Sequence, residues 1–432
     1  IYTLSLHDAL PICQVMDDIL RENLALYGAV SLEGCKWCGK STTARRLCNS
    51  VLEIQNPATA ENNKMIAKSD PAILLSGDKP RLIDEWQDAP TLWDAIRYDV
   101  DKSGLAGQYV LTGSVTPKKN KPSHSGAGRI VRITMRPMTL FESGDSNGRV
   151  SIKDLFYGEG KVSGSSKLGP KEIAHLCVRG SWPVSVRRNP KNAGKIAHDY
   201  LETILNDETF RKPENDIVFS PSKMRIVIRS LARNISTPVT MSTIMKDAED
   251  AGEPISDKTL VSYLNILERI YVLDDIEPWS PQLRSKTTIR SGLKRSFSDP
   301  SLVAAALHAS EEDLRIDSNT FGLVFEAMAM RDLKVYAESL GGHLYYYRDK
   351  VGRESDAVIY LPDGKWGAIE VKLGSDEDSI NEGIKQLEKF TENIDTSIMR
   401  EPSFLMVLTA TTNYAYRTED GVYVVPIGCL KN

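Results

Sequence analysis

Residues Gly34-Cys35-Lys36-Trp37-Cys38-Gly39-Lys40-Ser41 follow the pattern G-x-x-x-x-G-K-S/T. Glycines at that spacing let successive backbone N–H groups curl round phosphate oxygens, and the helix opening at Lys40 adds the partial positive charge of its N-terminus. An ammonium at Lys40 reaches the β- and γ-phosphates, and the Ser41 hydroxyl offers a ligand to Mg²⁺, with Thr42 next on the same turn. The flanks suit this chemistry: an apolar strand over Ala29–Glu33 precedes the loop and a helix-forming run over Lys40–Cys48 follows it. The cofactors expected are ATP and Mg²⁺. Cys35 and Cys38 make a C-x-x-C within the loop, a spacing that elsewhere serves redox or zinc chemistry. No second C-x-x-C and no nearby His pair completes a ligand set, so both read as loop residues.

A second acidic element supports the first. Arg81-Leu82-Ile83-Asp84-Glu85 is a short apolar strand ending in two carboxylates. Asp84 is suited to the Mg²⁺ shell and Glu85 to polarising an attacking water; the alternative is two solvated acids at a strand end. Thr112 and Ser114 follow the next strand, where a polar side chain can sense the γ-phosphate or simply form a turn. Arg129, before the last strand of this region, reads either as an arginine finger acting in trans or as a surface arginine.

A separate constellation lies near the C-terminus. Glu354–Tyr360 reads as a strand, Pro362-Asp363-Gly364 as a turn and Trp366–Leu373 as a second strand. Folding this hairpin about Asp363 brings Asp356 opposite Glu370, and Glu370 and Lys372, two apart, share a face. Two carboxylates can hold a divalent ion, Mg²⁺ or Mn²⁺. A lysine beside them can orient or deprotonate water and stabilise a developing phosphorane charge. Glu326, on the preceding helix (Phe321–Glu338), is a further candidate ligand. These are the parts of a PD-(D/E)-x-K nuclease site on a helix–three strands–helix–strand core, with His343–Arg348, Ser379–Phe390 and Phe404–Thr409 completing it. Ser355 stands where that motif has proline. The alternative is a salt-bridged hairpin, Lys372 pairing with Glu354 or Glu370.

These residues need elements to position them. Between Asp17 and Pro137, strand candidates Ala29–Glu33, Val51–Ile54, Arg81–Trp86, Tyr109–Thr112 and Arg129–Met135 alternate with helices such as Lys40–Asn49 and Thr91–Lys102, the α/β pattern. Ser143–Leu168 is Gly-rich loop. Helices over Lys223–Ile235 and Met241–Ala251, a third after Ser256 and a strand pair over Tyr271–Trp279 make a winged helix-turn-helix. Arg225, Arg229 and Arg233 form a basic stripe, and Arg284, Lys286, Arg290, Lys294 and Arg295 form an acid-free run. Such a patch positions DNA through its phosphates; alternatively the module packs between domains with its charges solvated.

Length and composition agree with several domains. At 432 residues the chain exceeds one core, and 26% charged with 41% hydrophobic residues excludes a wholly disordered or collagen-like chain. No run reaches the roughly 18 apolar residues of a membrane span. A net charge of -4 means that any nucleic-acid surface is a local patch. Six cysteines make no disulfide scaffold and point to a reducing cytoplasm. Ile1–Cys13 lacks a basic n-region and is interrupted by His7 and Asp8, a poor signal peptide. Thr3–Ile12 is the translation of ACTCTTTCCCTACACGACGCTCTTCCGATC, part of a common sequencing adapter. The expected native start is therefore at or near Met16, or upstream sequence was lost at the junction.

With these residues in view, the chain resembles the widespread prokaryotic family of AAA-type P-loop ATPases that carry a winged helix and a C-terminal domain of unknown function with a restriction-endonuclease-like core. The resemblance rests on Gly34–Thr42, Leu82–Trp86, Val110–Ser114, Gly128-Arg129 with Arg136-Pro137-Met138, Arg179–Pro183 and Glu354–Lys372, and covers the chain after about Met16. It implies ATP binding and a nuclease fold. The expected organisation is α/β multidomain: adapter sequence over 1–15, a P-loop (AAA/ASCE-type) parallel sheet with helices over 16–142, a loop and helical lid region over 143–220, a winged-helix module over 221–285 and a restriction-endonuclease-like α/β domain over 286–432. The function expected is ATP hydrolysis coupled to a metal-dependent DNA nuclease, in the cytoplasm, with DNA and a second copy of the chain as partners and no membrane. The alternative is an ATP-dependent switch whose nuclease-like domain is catalytically silent.

Overall fold

The computed structural model describes residues 14–115, 126–158, 162–188, 191–206, 219–281, 292–349, 351–392, 394–395, 397 and 399–432. Residues 1–13, and Arg284, Lys286 and Arg290 of the basic run, lie outside the described residues. Backbone proximity divides the chain into two compact units, 1–137 with 267–272 and 138–266 with 273–432.

The first unit is built on a parallel sheet of five strands, β1 (Ala29–Glu33), β2 (Ser50–Glu53), β3 (Arg81–Asp84), β4 (Tyr109–Gly113) and β5 (Ile130–Thr134), in the order β2-β3-β4-β1-β5. Strands covered on both faces are mostly apolar; β1 and β4 are buried along their whole length, with Ser31, Glu33 and Thr112 as polar exceptions. The helix Thr91–Ser103 lays Leu92, Trp93, Ile96 and Val100 into the core and stops at Gly104, whose φ of 64° suits a left-handed cap. The register pairs Glu33 with Gly113 and Asp84 with Thr112, so the ends of β1, β3 and β4 open on one edge. That edge is where open α/β sheets bind ligands.

The second unit carries helices over Pro170–Arg179, Lys195–Leu205, Pro221–Arg233 and Met241–Asp250. It also has two short strands, β6 (Val150–Ser151) and β7 (Gly164–Ser165), and a larger sheet. That sheet adds β8 (Glu277–Pro278), β9 (His343–Arg348), β10 (Glu354–Tyr360), β11 (Trp366–Lys372), β12 (Phe404–Thr409), β13 (Tyr414–Arg417) and β14 (Tyr423–Pro426), in the order β7-β13-β14-β12-β11-β10-β9-β8. Ser318–Ser339 and Glu377–Thr391 are its helices.

In the middle the three expected helices form, the third over Asp257–Arg269, and an antiparallel ribbon follows them. Leu273 and Ile276 bridge to Phe297 and Lys294, and β8 pairs with β9 at the edge of the large sheet. Burial of Trp279 against Tyr347, Trp366 and Phe390 draws the ribbon there. The basic stripe is also partly spent: Arg225 pairs with Glu202 and Arg233 with Asp247.

Candidate functional site

The loop after β1 has the shape its sequence anticipates. Gly34 leaves the strand with φ 155°, and a Cβ there would stand 2.1 Å from the Met135 carbonyl oxygen, so only glycine fits. Gly39 has φ 109° and directly precedes the helix Lys40–Leu47. Lys40 is buried, its Nζ donating to the carbonyls of Gly34 at 2.9 Å and Cys35 at 2.7 Å. Cys35 and Cys38 are wholly buried. Burial alone would push the Cys38 thiol up; the hydrogen bond from Cys35 and the Lys40 ammonium outweigh it and bring it to about 6. Lys36 and Trp37 are exposed, as is Thr42.

The acidic strand converges on this loop. Ser41 Oγ donates to Asp84 Oδ1 at 2.7 Å, and Thr112 Oγ1 donates to the same oxygen at 2.5 Å. Glu85 turns through φ 57° and its N–H donates to Thr112 Oγ1 at 3.3 Å. Its carboxylate accepts from Ser114 Oγ at 3.2 Å and from the Gln87 amide. A hydroxyl and a carboxylate meeting beside a glycine cradle are the donor set that Mg²⁺ takes with a nucleotide; the residues fit that ion. Gln87 was not among the expected site residues; it holds Glu85, while Thr112, expected as a γ-phosphate sensor or a turn residue, ties Asp84 to the Glu85 backbone. Arg129 lies elsewhere. It precedes β5, at the sheet end opposite the loop, and donates to Asp101. It cannot serve its own nucleotide, which confines the finger reading to a neighbouring copy.

In the C-terminal sheet the hairpin register is the expected one, Ala357 opposite Ile369. A bulge between Ser355 and Val358 turns Asp356 out of the ladder with β9. Ser355, in the proline's place, is buried and its Oγ donates to the Ala357 and Ile369 carbonyls. Asp356 N–H donates to Glu370 Oε1 at 3.3 Å, and Val371 N–H donates to Asp356 Oδ2 at 2.9 Å. Lys372 Nζ is 3.9 Å from Glu370 and donates to Gln386 at 2.7 Å.

Two observations bear on the metal expectation at this site. Among the described residues no three His, Cys, Asp or Glu side chains converge closely enough to hold an ion. Lys294 stands in the way: its ammonium contacts Glu326 and lies 3.8 Å from Asp356. Burial would push Lys294 down, but the charges of Glu326 and Asp356 outweigh it and raise it. Burial lifts Glu326 to about 7, and burial with the Asp356 charge lifts Glu370 well above the usual range. With Lys294 in place, Glu326, Asp356 and Glu370 do not fit a divalent ion. Of the basic run, the two described residues face inward: Lys294 as above, and Arg295 pairing with Asp275.

The motif Arg179–Pro183 proves to be a structural tie. Arg179 pairs with Asp145, Ser181 N–H donates to Asp299, and Trp182 Nε1 donates to Ser301. Arg331 joins Asp299 to Asp332 beneath it, fully buried.

Comparison with known proteins agrees with the loop chemistry. A family model described as an AAA domain matches residues 27–143. Two others, each described as a domain of unknown function, match residues 170–313 (DUF8612) and 321–430 (DUF4143). Uncharacterized proteins of Mycobacterium tuberculosis and Mycobacterium bovis are each 24% identical over 374 residues, 82% of this chain and 73% of theirs. Among solved structures, the Walker-type ATPase of Pyrococcus abyssi is 14% identical, with 70% of this chain and 97% of that chain covered and a TM-score of 0.43. Drosophila ORC bound to DNA is 12% identical, with 71% and 94% covered and a TM-score of 0.24. Both scores are too low to carry fold or function across. The N-terminal region is an AAA-type P-loop domain of the ATPase class. No helix among the described residues is long and apolar enough to cross a membrane.

Proposed function

We propose that the chain binds ATP with Mg²⁺ and hydrolyses it, and that a nuclease-like C-terminal module responds to the nucleotide. The Ser41–Asp84 contact of 2.7 Å, at the mouth of a loop only glycine can form, carries this reading. Backbone N–H groups of Gly34–Gly39 and the helix N-terminus take up phosphate oxygens. Lys40 exchanges the loop carbonyls for the β- and γ-phosphates. Ser41 and Asp84 hold the ion, which when bound neutralises charge on the phosphates. Glu85 orients the water and receives its proton, while Thr112, Ser114 and Gln87 keep the two acids apart in role. Arg129 supplies transition-state charge only to a neighbouring copy, which makes the working form an oligomer. The test is phosphate release from ATP by the purified chain: Lys40→Ala should abolish nucleotide binding and turnover together. Turnover unchanged in that variant would refute the site.

For the C-terminal module the convergence of Asp356, Glu370 and Lys372 supports a nuclease-like fold acting on DNA phosphates. The buried Lys294 favours the reading in which this fold is silent at rest and serves ATP-dependent regulation. Incubation with linear, circular and branched DNA, with Mg²⁺ or Mn²⁺ and with or without ATP, separates the two. Cleavage in the absence of ATP would refute the silent reading.

A further inference from the structure

The geometry points to Lys294 as the resident cation of the C-terminal carboxylate site, so that a divalent ion can enter only by displacing it. This rests on the reading of Asp356 and Glu370 as metal-competent carboxylates. Lys294 is 7% exposed, a degree of burial that lysine tolerates only when paired. Its backbone is fixed by reciprocal hydrogen bonds with Ile276, each 3.0 Å. The next residues are pinned from the other side: Arg295 pairs with Asp275, whose Oδ1 also accepts from Ser296 N–H at 3.0 Å. The ribbon therefore delivers the side chain to one place, against Glu326 and 3.8 Å from Asp356, with the Tyr346 ring 6.0 Å away.

Position gives the same answer. The Lys294 ammonium takes the space between Glu326 and Asp356 that an ion shared by those carboxylates would fill, so the ion and the lysine are alternatives. Lys372 is no substitute for Lys294, because its ammonium is turned towards Gln386 and Glu382.

The test is a titration of Mn²⁺ into the full chain without nucleotide, followed by loss of the free-ion paramagnetic resonance signal. Lys294→Met should bind Mn²⁺ at least tenfold more tightly than wild type, and adding Asp356→Ala should cancel the gain. If Lys294→Met alone does not fold, Lys294→Met with Glu326→Gln removes one carboxylate with the lysine and should still bind Mn²⁺ more tightly than Glu326→Gln alone. Equal, Asp356-dependent binding by wild type and variant would overturn the role of Lys294 while leaving the metal site standing. Absence of Mn²⁺ binding in both, with folded protein, would overturn the metal reading and this inference with it.

Discussion

Glu85→Gln should separate nucleotide binding from hydrolysis. Glu85 sits at φ 57°, a left-handed conformation that a non-glycine residue adopts at a cost of about 1–2 kcal/mol. Such strain persists where the surroundings over-determine it, and here the Thr112 hydroxyl, Ser114 and Gln87 all hold the residue. Glutamine has the same shape and keeps an oxygen for Ser114, so the strained turn survives. What it loses is the proton acceptor. A positioned general base contributes about 10²–10⁴ in rate, which is about 3–5 kcal/mol of barrier at 1.36 kcal/mol per decade. Lys40, Ser41 and Asp84 are untouched, so ATP affinity should change by less than about threefold on the same scale. Single-turnover phosphate release, with equilibrium binding of a fluorescent ATP analogue in parallel, reads both quantities. A glutamine variant that hydrolyses ATP within about threefold of wild type would refute the assignment of the base. Loss of binding would show that Glu85 builds the site instead of acting in it.

Three other outcomes follow from the same geometry. Gly34→Ala should lower ATP affinity more than tenfold in equilibrium dialysis, because the added Cβ meets the Met135 carbonyl at 2.1 Å and the loop must shift; retained affinity would mean the cradle is not the binding element. Arg331→Met should cost about 3–5 kcal/mol in urea unfolding, since it strips the counter-charge from buried Asp299 and Asp332; a cost under about 1 kcal/mol, typical of an exposed pair, would refute that account. Cys38 should titrate near pH 6, seen as thiolate absorbance missing from Cys38→Ser. Its folded value lies below the ordinary thiol value of 9.0, so the folded state binds fewer protons between the two; the resulting stability is full above the unfolded value and lost as pH falls through 6. A midpoint at the unperturbed value would show that the Lys40 ammonium does not act on the thiol.

What the sequence made legible was local. Strand β1 lies over the expected residues, and Val51–Ile54 differs from Ser50–Glu53 only by a residue at each end, because short apolar runs between turns are readable from neighbours alone. The hairpin register was readable for a similar reason: a tight turn at Asp363 fixes every later pair, down to Asp356 and Glu370. The Ser41–Asp84 pairing was readable because both flank strands of one sheet. Lys294 was not. In a basic, acid-free run a lysine reads as solvated, and only the ribbon with Ile276 turns it inward. Trp279 decides where that ribbon goes, and its partners Tyr347, Trp366 and Phe390 lie far along the chain. Asp299 and Asp332 escaped notice likewise, since a lone aspartate gives no sign that Arg331 will neutralise it in the core.

The two candidate sites share a device and differ in how hard it is to undo. In each, a lysine ammonium rests on oxygens in the position where charge must later be handled: Lys40 on the Gly34 and Cys35 carbonyls, Lys294 among Glu326 and Asp356. Neutral carbonyls hold an ammonium less strongly than charged oxygens do. On the proposed function a triphosphate displaces the loop carbonyls from Lys40, and the exchange leaves no buried charge behind. Lys294 is paired with carboxylates, and withdrawing one partner from a buried ion pair costs about 3–5 kcal/mol unless another cation arrives at once. The loop is thus poised to accept its ligand by simple exchange. The C-terminal site, on the inference drawn above, is held closed to metal by its own side chain until something else moves or replaces it.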